Sequence, residues 1–333
     1  MSETLRFPRQ SAGVLFDETI PEILDEYVSA KLDVVALSPA GPRPGPIVFS
    51  VMRDEVRIIA EFLAHYRKAG IRKFVILDNN STDGTFEFLT EQADIDLYRT
   101  ATAFTTLRKQ AWLNVLLDTY RSPDQWFICV DADEHIVFDG LEDGRDFFDL
   151  AAAMEKAGIR RVRGCMVDMY SHRPIADNLF HEGEALIEAY PLFDSTGYRE
   201  YNLAPLIARE GGPRQRLFEE FSKGIQPQLT KYPMFRLEPE DFFVNPHFLW
   251  PYDQNFVSEC FLGLLHFKFV PYFSSKIDRA IAEGTYWQNS IEYQVYKSAL
   301  SKHKDLTFVG ESTQFYENPV SLVDYDIIAR IPW

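Results

Sequence analysis

Trp126-Phe-Ile-Cys-Val-Asp131-Ala-Asp133-Glu134 is an apolar run that ends abruptly in three carboxylates. A short apolar run bounded by polar residues reads as a buried strand, and in open α/β sheets ligands bind just beyond the carboxyl ends of such strands. Two Asp spaced i, i+2 at that position have two readings. One is a solvated acidic turn. The other is a site for one hard divalent cation, because carboxylates together with phosphate oxygens are how Mg²⁺ or Mn²⁺ is held. The residues upstream bear on the choice.

Working outward, Ile47-Val-Phe-Ser-Val51 reads as a strand ending in Met52-Arg53-Asp-Glu55. A helix is predicted over 54–69, with Val56, Ile59, Phe62, Leu63 and Tyr66 on one face and Gly70 closing it. Lys73-Phe-Val-Ile-Leu77 is a second strand that stops at Asp78-Asn-Asn80-Ser-Thr-Asp-Gly-Thr85, residue types that also suit a helix cap. A short helix over 86–93, a strand over 95–98 and a helix over 107–120 lead to the opening strand, and a helix over 147–156 and a strand over 162–167 follow it. This alternation predicts an α/β fold with a doubly wound, mostly parallel sheet and helices on both faces. Three neighbouring strands then place polar or acidic residues on one rim.

Three regions are expected. Residues 1–46 form an extension with one helical piece over 21–30, ending in the breaker-rich Ser38-Pro-Ala-Gly-Pro-Arg-Pro-Gly-Pro46. Residues 47–170 carry the core. Residues 171–333, where the alternation weakens, form an irregular α/β elaboration with late helices over 276–283 and 291–303. The chain has 34 basic and 50 acidic residues, a net charge of −16, which disfavours nucleic acid and anionic membranes as partners. Any phosphate-bearing ligand then needs a metal or placed Arg and Lys side chains. Cys129, Cys165 and Cys260, odd in number and widely spaced, read as reduced thiols of a cytoplasmic protein. No leader-like N-terminus or membrane-length apolar run is apparent in the sequence.

Val51-Met-Arg-Asp-Glu55, Glu61-Phe-Leu-Ala-His-Tyr66, Phe74-Val-Ile-Leu-Asp-Asn-Asn-Ser-Thr-Asp-Gly-Thr85 and the opening Trp126 to Glu134 string, in that order, resemble family-2-type glycosyltransferases with the GT-A fold. The bacterial branch reading D-N-x-S-T-D-G-T and D-x-D-E is the most similar. The resemblance covers about residues 47 to 170. Weaker likenesses follow at Gly211 to Arg216, Leu229 to Pro233, His247-Phe and Leu264 to Lys268. Arg53 departs from the Lys or Asn of many relatives.

The resemblance implies transfer of a sugar from a nucleotide-sugar donor, UDP by family habit, to a glycan or other hydroxyl acceptor, with inversion, and a role in polysaccharide assembly. It places Met52, Arg53, Glu55, Asp78 and Asn80 around the nucleoside. Arg108, Lys109, Arg214, Arg216 and Lys231 are candidates for the donor phosphates or an anionic acceptor. Asp131 and Asp133 would hold Mn²⁺ or Mg²⁺, and Asp131 also counts among the donor contacts. His247 is the downstream metal ligand, with His266 as the alternative. An inverting transferase needs a general base, for which Asp168 and Asp194 are candidates beside Glu219, Glu220, Glu240 and Asp241. Three other readings stand beside this one: a catalytically silent nucleotide-sugar-binding protein, a nucleotidyltransferase, and a phosphohydrolase of the haloacid-dehalogenase type. The last has His135 where its motif carries Thr or Val, and three strands precede the motif here.

Overall fold

The computed structural model describes residues 19–39, 45–177, 180, 184–203, 206–222, 226–270, 273–284 and 287–333. Residues 1–18 of the expected extension and 40–44 of its breaker-rich end lie outside the described residues.

The alternation of the first half produces the predicted elements. In chain order they are α1 (Thr19–Ser29), β1 (Asp33–Ala36), β2 (Ile47–Met52), α2 (Ile59–Lys68), β3 (Phe74–Asp78), α3 (Thr85–Thr90), β4 (Ile95–Arg99), α4 (Thr106–Tyr120), β5 (Trp126–Cys129), β6 (Glu134–Phe138), α5 (Phe147–Lys156) and β7 (Arg161–Asp168). From the second half come α6 (Leu186–Ala189), β8 (Leu192–Asp194), β9 (Arg199–Leu203), β10 (Leu206–Glu210), α7 (Gly212–Phe218) and β11 (Thr230–Arg236). The chain continues through β12 (Phe242–Asn245), β13 (Phe248–Trp250), β14 (Leu262–His266), α8 (Phe273–Glu283), α9 (Trp287–Lys302), β15 (Thr313–Phe315) and α10 (Pro319–Asp324).

Nine strands build the main sheet in the order β1-β4-β3-β2-β5-β11-β7-β14-β6. The pairs β2–β3, β2–β5, β3–β4 and β7–β14 are parallel, while β1, β11 and β6 run antiparallel to their neighbours. Following directions across the order, β4, β3, β2, β5, β7 and β14 share one direction, so the sheet is mostly parallel. Successive residues of a strand face opposite sides. Val48 and Met52 pack with Phe62 and Tyr66 of α2 and Leu150 of α5 on one face. Ile47 and Phe49 pack with Ile23 of α1 and Trp112 and Leu116 of α4 on the other. Helices therefore cover both faces, as predicted.

Three differences from the sequence reading matter for the site. The helix predicted over 54–69 begins only at Ile59, because the backbone of residues 54–56 is tied to the next loop. The acidic triplet follows strand β5 as expected, but Glu134 already opens β6, so Asp131 to Asp133 form a tight turn between β5 and β6. The region after 170 also enters the main sheet, since β11 lies between β5 and β7 and β14 between β7 and β6. The rest of that region forms the β9–β10 and β12–β13 hairpins, the β8–β15 pair, and a small aromatic core with Tyr170, Phe218, Phe269, Tyr296 and Phe308. All three cysteines are buried and free, and among the described residues no helix is long and apolar enough to cross a membrane.

Candidate active site

The parallel registers Met52↔Asp78 and Phe49↔Cys129 bring the carboxyl ends of β3, β2 and β5 to one rim. There the loops after β2 and β3 are laced together. The Asp54 amide donates to Ser81 Oγ at 3.0 Å, and the Thr82 amide donates to Asp54 Oδ1 at 2.8 Å. The Glu55 amide donates to Thr85 Oγ1 at 2.8 Å and the Val56 amide to Asp83 Oδ2 at 3.1 Å. Asp54 and Asn80 hold φ values of 58° and 56°, the left-handed region that Asn and Asp tolerate best among residues with a Cβ. Gly84 precedes α3 at φ 103°. The Ser-Thr-Asp-Gly-Thr string thus shapes the rim.

Asp78 is fully buried at that rim. The Ser81 amide approaches both of its oxygens, at 3.3 and 3.2 Å, and Arg99 Nε lies 3.3 Å from Oδ2. Burial raises its carboxyl above the usual range, and the Ser81 bonds and Arg99 offset only part of that. Arg99 also donates to the exposed Asn80 Oδ1 at 3.4 Å. Met52 is buried beside them. Arg53 reaches Asp54 at 3.8 Å and Glu283 of α8 at 3.4 Å, and Arg279 of α8 pairs with Asp54. The loop bearing Arg53 and Glu55 is therefore clamped against α8.

In the β5–β6 turn, each carboxylate has a different partner. Asp131 pairs with Lys109 of α4, and Glu134 pairs with Lys231 of β11 in a buried contact. Burial pushes the Asp131 carboxyl up, but the Lys109 and Lys231 ammoniums override it and hold it below the ordinary range. Asp133 is buried, and its carbonyl accepts from the Phe267 amide at 2.8 Å. That bond, with the registers His266↔Glu134 and His266↔Asp168, sets the His266 ring beside the turn. His266 Nε2 lies 3.8 Å from Asp133 Oδ2, and Nδ1 lies 2.7 Å from Asp168 Oδ1. A shallow cleft runs alongside, lined by Val51, Lys109, Leu113, Asp131, Glu134 and Phe243.

Ligand atoms of Asp133, Glu134 and His266 all lie within 4.8 Å of one another. Two carboxylates and one imidazole form a donor set that suits Mn²⁺. A carboxylate on the far nitrogen of the His is the usual companion of a metal-binding imidazole. On both counts these residues fit a divalent ion. Asp131, paired with Lys109, stands outside that group, whereas Glu134, inside it, also pairs with Lys231. His247 stands outside it too: its Nδ1 meets the Thr230 carbonyl at 2.7 Å, and burial followed by the Lys231 charge lowers its pKa to about 4. Of the two histidines singled out by sequence, the structure gathers His266 with Asp133.

Arg108, Arg214, Arg216, Asp168 and Asp194 sit in ion pairs. Arg108 donates to Glu26 of α1 at 3.0 Å and to the Ala103 carbonyl at 3.0 Å, which ties α1 to α4. Arg216 holds Asp194 bidentately at 2.8 and 2.9 Å, and Tyr170 Oη donates to the same carboxylate at 2.6 Å. Arg214 Nε donates to Asp168 Oδ2 at 2.6 Å and Nη1 to Glu292 Oε1 of α9 at 3.1 Å. Burial pushes the Asp168 carboxyl up, yet Arg214 and His266 together hold it far below the usual carboxylate range. Lys268 donates to Glu292 at 3.3 Å, and Tyr296 bonds the same carboxylate. Sequence reading gave Glu292 and Lys268 no role. Lys268 stood in the string Leu264-Leu-His-Phe-Lys268, two residues beyond His266, and that spacing was the available signal.

No protein-family model matches the chain, and no curated protein matches it. Similar solved structures include TarS of S. aureus, with 12% identity and a TM-score of 0.31 over 79% of this chain and 44% of that one. A nucleotidyl transferase from Methanothermobacter has 11% identity and a TM-score of 0.23 over 40% of this chain and 64% of its own. The mannosyltransferase PcManGT from Pyrobaculum calidifontis, in complex with GDP-Man and Mn²⁺, has 15% identity and a TM-score of 0.32 over 88% of this chain and 84% of its own. The chain thus spans less than two thirds of the length of the first two.

Proposed function

We propose that this chain is a divalent-metal-dependent glycosyltransferase that moves a sugar from a nucleoside diphosphate donor to a hydroxyl acceptor on a glycan, with inversion. The observation that carries the reading is the grouping of Asp133, Glu134 and His266 within 4.8 Å at the carboxyl rim of a mostly parallel sheet, with Lys109 on the adjoining Asp131 and Lys231 on Glu134 itself. Mn²⁺ or Mg²⁺ held there supplies Lewis-acid stabilisation of the leaving nucleoside diphosphate. Asp78 at the end of β3 accepts from the ribose or base, within the frame of Met52, Arg53, Glu55 and Asn80. Lys109 and Lys231 neutralise donor phosphate, which a chain of net charge −16 otherwise repels. Residues 47–170 serve the donor, joined by Lys231 and His266, and the rest of residues 171–333 serves the acceptor, in the cytoplasm and with UDP as the nucleotide.

The test is a panel of nucleoside diphosphates and their sugars, with and without Mn²⁺, read by thermal shift and by release of nucleoside diphosphate. One nucleotide is expected to raise Tm only with Mn²⁺, through binding linkage. Asp133→Ala, still folded by circular dichroism, is expected to abolish turnover of the matching sugar. Release of pyrophosphate instead would make the chain a nucleotidyltransferase. Stabilisation without turnover of any donor would make it a silent binding protein.

A further inference from the structure

We propose that Asp168 is a positioning residue that, backed by Arg214, holds the His266 ring with its proton on Nδ1 and its free electron pair on Nε2, facing Asp133 and Glu134. The inference rests on the metal reading above and assigns Asp168 a task other than proton abstraction from an acceptor.

Three observations carry it. First, the parallel β7–β14 ladder sets Asp168 directly opposite His266, so the contact is built into two central strands. Second, both carboxylate oxygens are committed. Oδ1 meets His266 Nδ1 at 2.7 Å, and Oδ2 accepts from Arg214 Nε at 2.6 Å. A carboxylate beside a guanidinium is ionised and only accepts hydrogen bonds, so the proton of a neutral His266 lies on Nδ1. Nε2, 3.8 Å from Asp133 Oδ2, is then the nitrogen with a lone pair. Third, Asp168 is 1% exposed. A general base must come within hydrogen-bond reach of the acceptor hydroxyl, and a carboxylate with both oxygens bonded below the surface is badly placed for that. Arg214 continues to Glu292 of α9, which also receives Lys268. The orientation of the imidazole is thereby anchored to a helix of the second half.

The experiment has a metal-free arm and a metal arm. In wild-type protein without metal, ¹⁵N-histidine spectra are expected to place the His266 proton on Nδ1, assigned by the signal lost in His266→Ala. A proton on Nε2 would overturn the proposal without reference to any metal. In the metal arm, Mn²⁺ affinity is read by the electron paramagnetic resonance of the free ion. Asp168→Asn and Asp168→Ala are expected to weaken it about 10- to 100-fold. Asparagine can present its oxygen to only one of the two partners, so its amide hydrogens meet the other. His266→Ala is expected to weaken binding to a similar extent, and Asp168→Ala with His266→Ala together no further than either alone, because the two act as one unit. Equal Mn²⁺ affinity in wild type and a folded Asp168→Asn would overturn the positioning role and leave the metal reading intact. Absence of Mn²⁺ binding by wild type would instead overturn the metal reading, and the tautomer measurement would still decide the role of Asp168.

Discussion

At the scale of single residues, the acidic corner combines carboxylates with buried cations. Lys231 and Glu134 are 5% and 2% exposed, and a buried charge whose partner is removed is strongly destabilising. Lys231→Met is therefore expected to lower stability by about 3–5 kcal/mol, the usual range for breaking a buried pair. Urea unfolding at pH 7 checks this, and an unchanged midpoint would mean that Glu134 is solvated. His65 offers a pH test. Its Nε2 meets the Ile136 carbonyl at 2.8 Å and its ring stacks on His135 at 4.5 Å. Burial is the main cause that lowers its pKa from 6.5 to about 4. The folded chain thus keeps His65 neutral where the unfolded chain takes up a proton, so stability is intact above pH 6.5 and falls as pH drops toward 4. At 1.36 kcal/mol per unit the loss is about 3 kcal/mol. His65→Gln is expected to flatten the fall in unfolding free energy, taken from urea titrations between pH 7.5 and 4.5, by about 2–3 kcal/mol.

At the scale of elements, the helices and strands of residues 47–170 follow their apolar periodicity closely. The departures come from contacts that no local pattern carries. The start of α2 at Ile59 is set by bonds to Ser81, Thr82, Asp83 and Thr85 some 27 to 30 residues away. The break between β5 and β6 is set by the pairing of β6 with β14 across the sheet. The β12–β13 hairpin is held on α4 by Asn114. Its Nδ2 donates to the Phe243 carbonyl at 2.8 Å, and its Oδ1 accepts from the Phe243 amide at 3.0 Å. Asn114→Leu strands both backbone groups in a buried place and is expected to lower stability by about 2–4 kcal/mol, from two unsatisfied groups. Backbone amide exchange at Phe243 should rise in the variant, and unaltered protection there would show that α4 is not the anchor.

At the scale of the whole molecule, the sheet joins both halves of the chain. β11 and β14 come from beyond residue 170, yet they fill positions between β5, β7 and β6. A fragment ending at 170 would leave β5, β6 and β7 with open edges, and exposed strand edges template aggregation. Such a fragment is expected to be insoluble or to lack a cooperative transition. The full chain is expected to unfold in one step, with tryptophan fluorescence and far-UV dichroism coincident. Two separated transitions would contradict the shared sheet. What the sequence determined by itself is local: period-2 and period-3.6 burial set the strands and helices of residues 47–170, and apolar runs that stop at Met52, Asp78 and Asp131 mark the rim. What the tertiary structure decided is which distant side chains meet there. His266 with Asp133, Asp168 with Arg214 and Lys231 with Glu134 are separated by 46 to 133 residues along the chain. His266 and Lys231 arrive on strands β14 and β11 that the sheet inserts beside β6 and β7, and Arg214 reaches Asp168 from helix α7. Which strands become neighbours is decided by the packing of the whole sheet and not by the residues nearest in sequence.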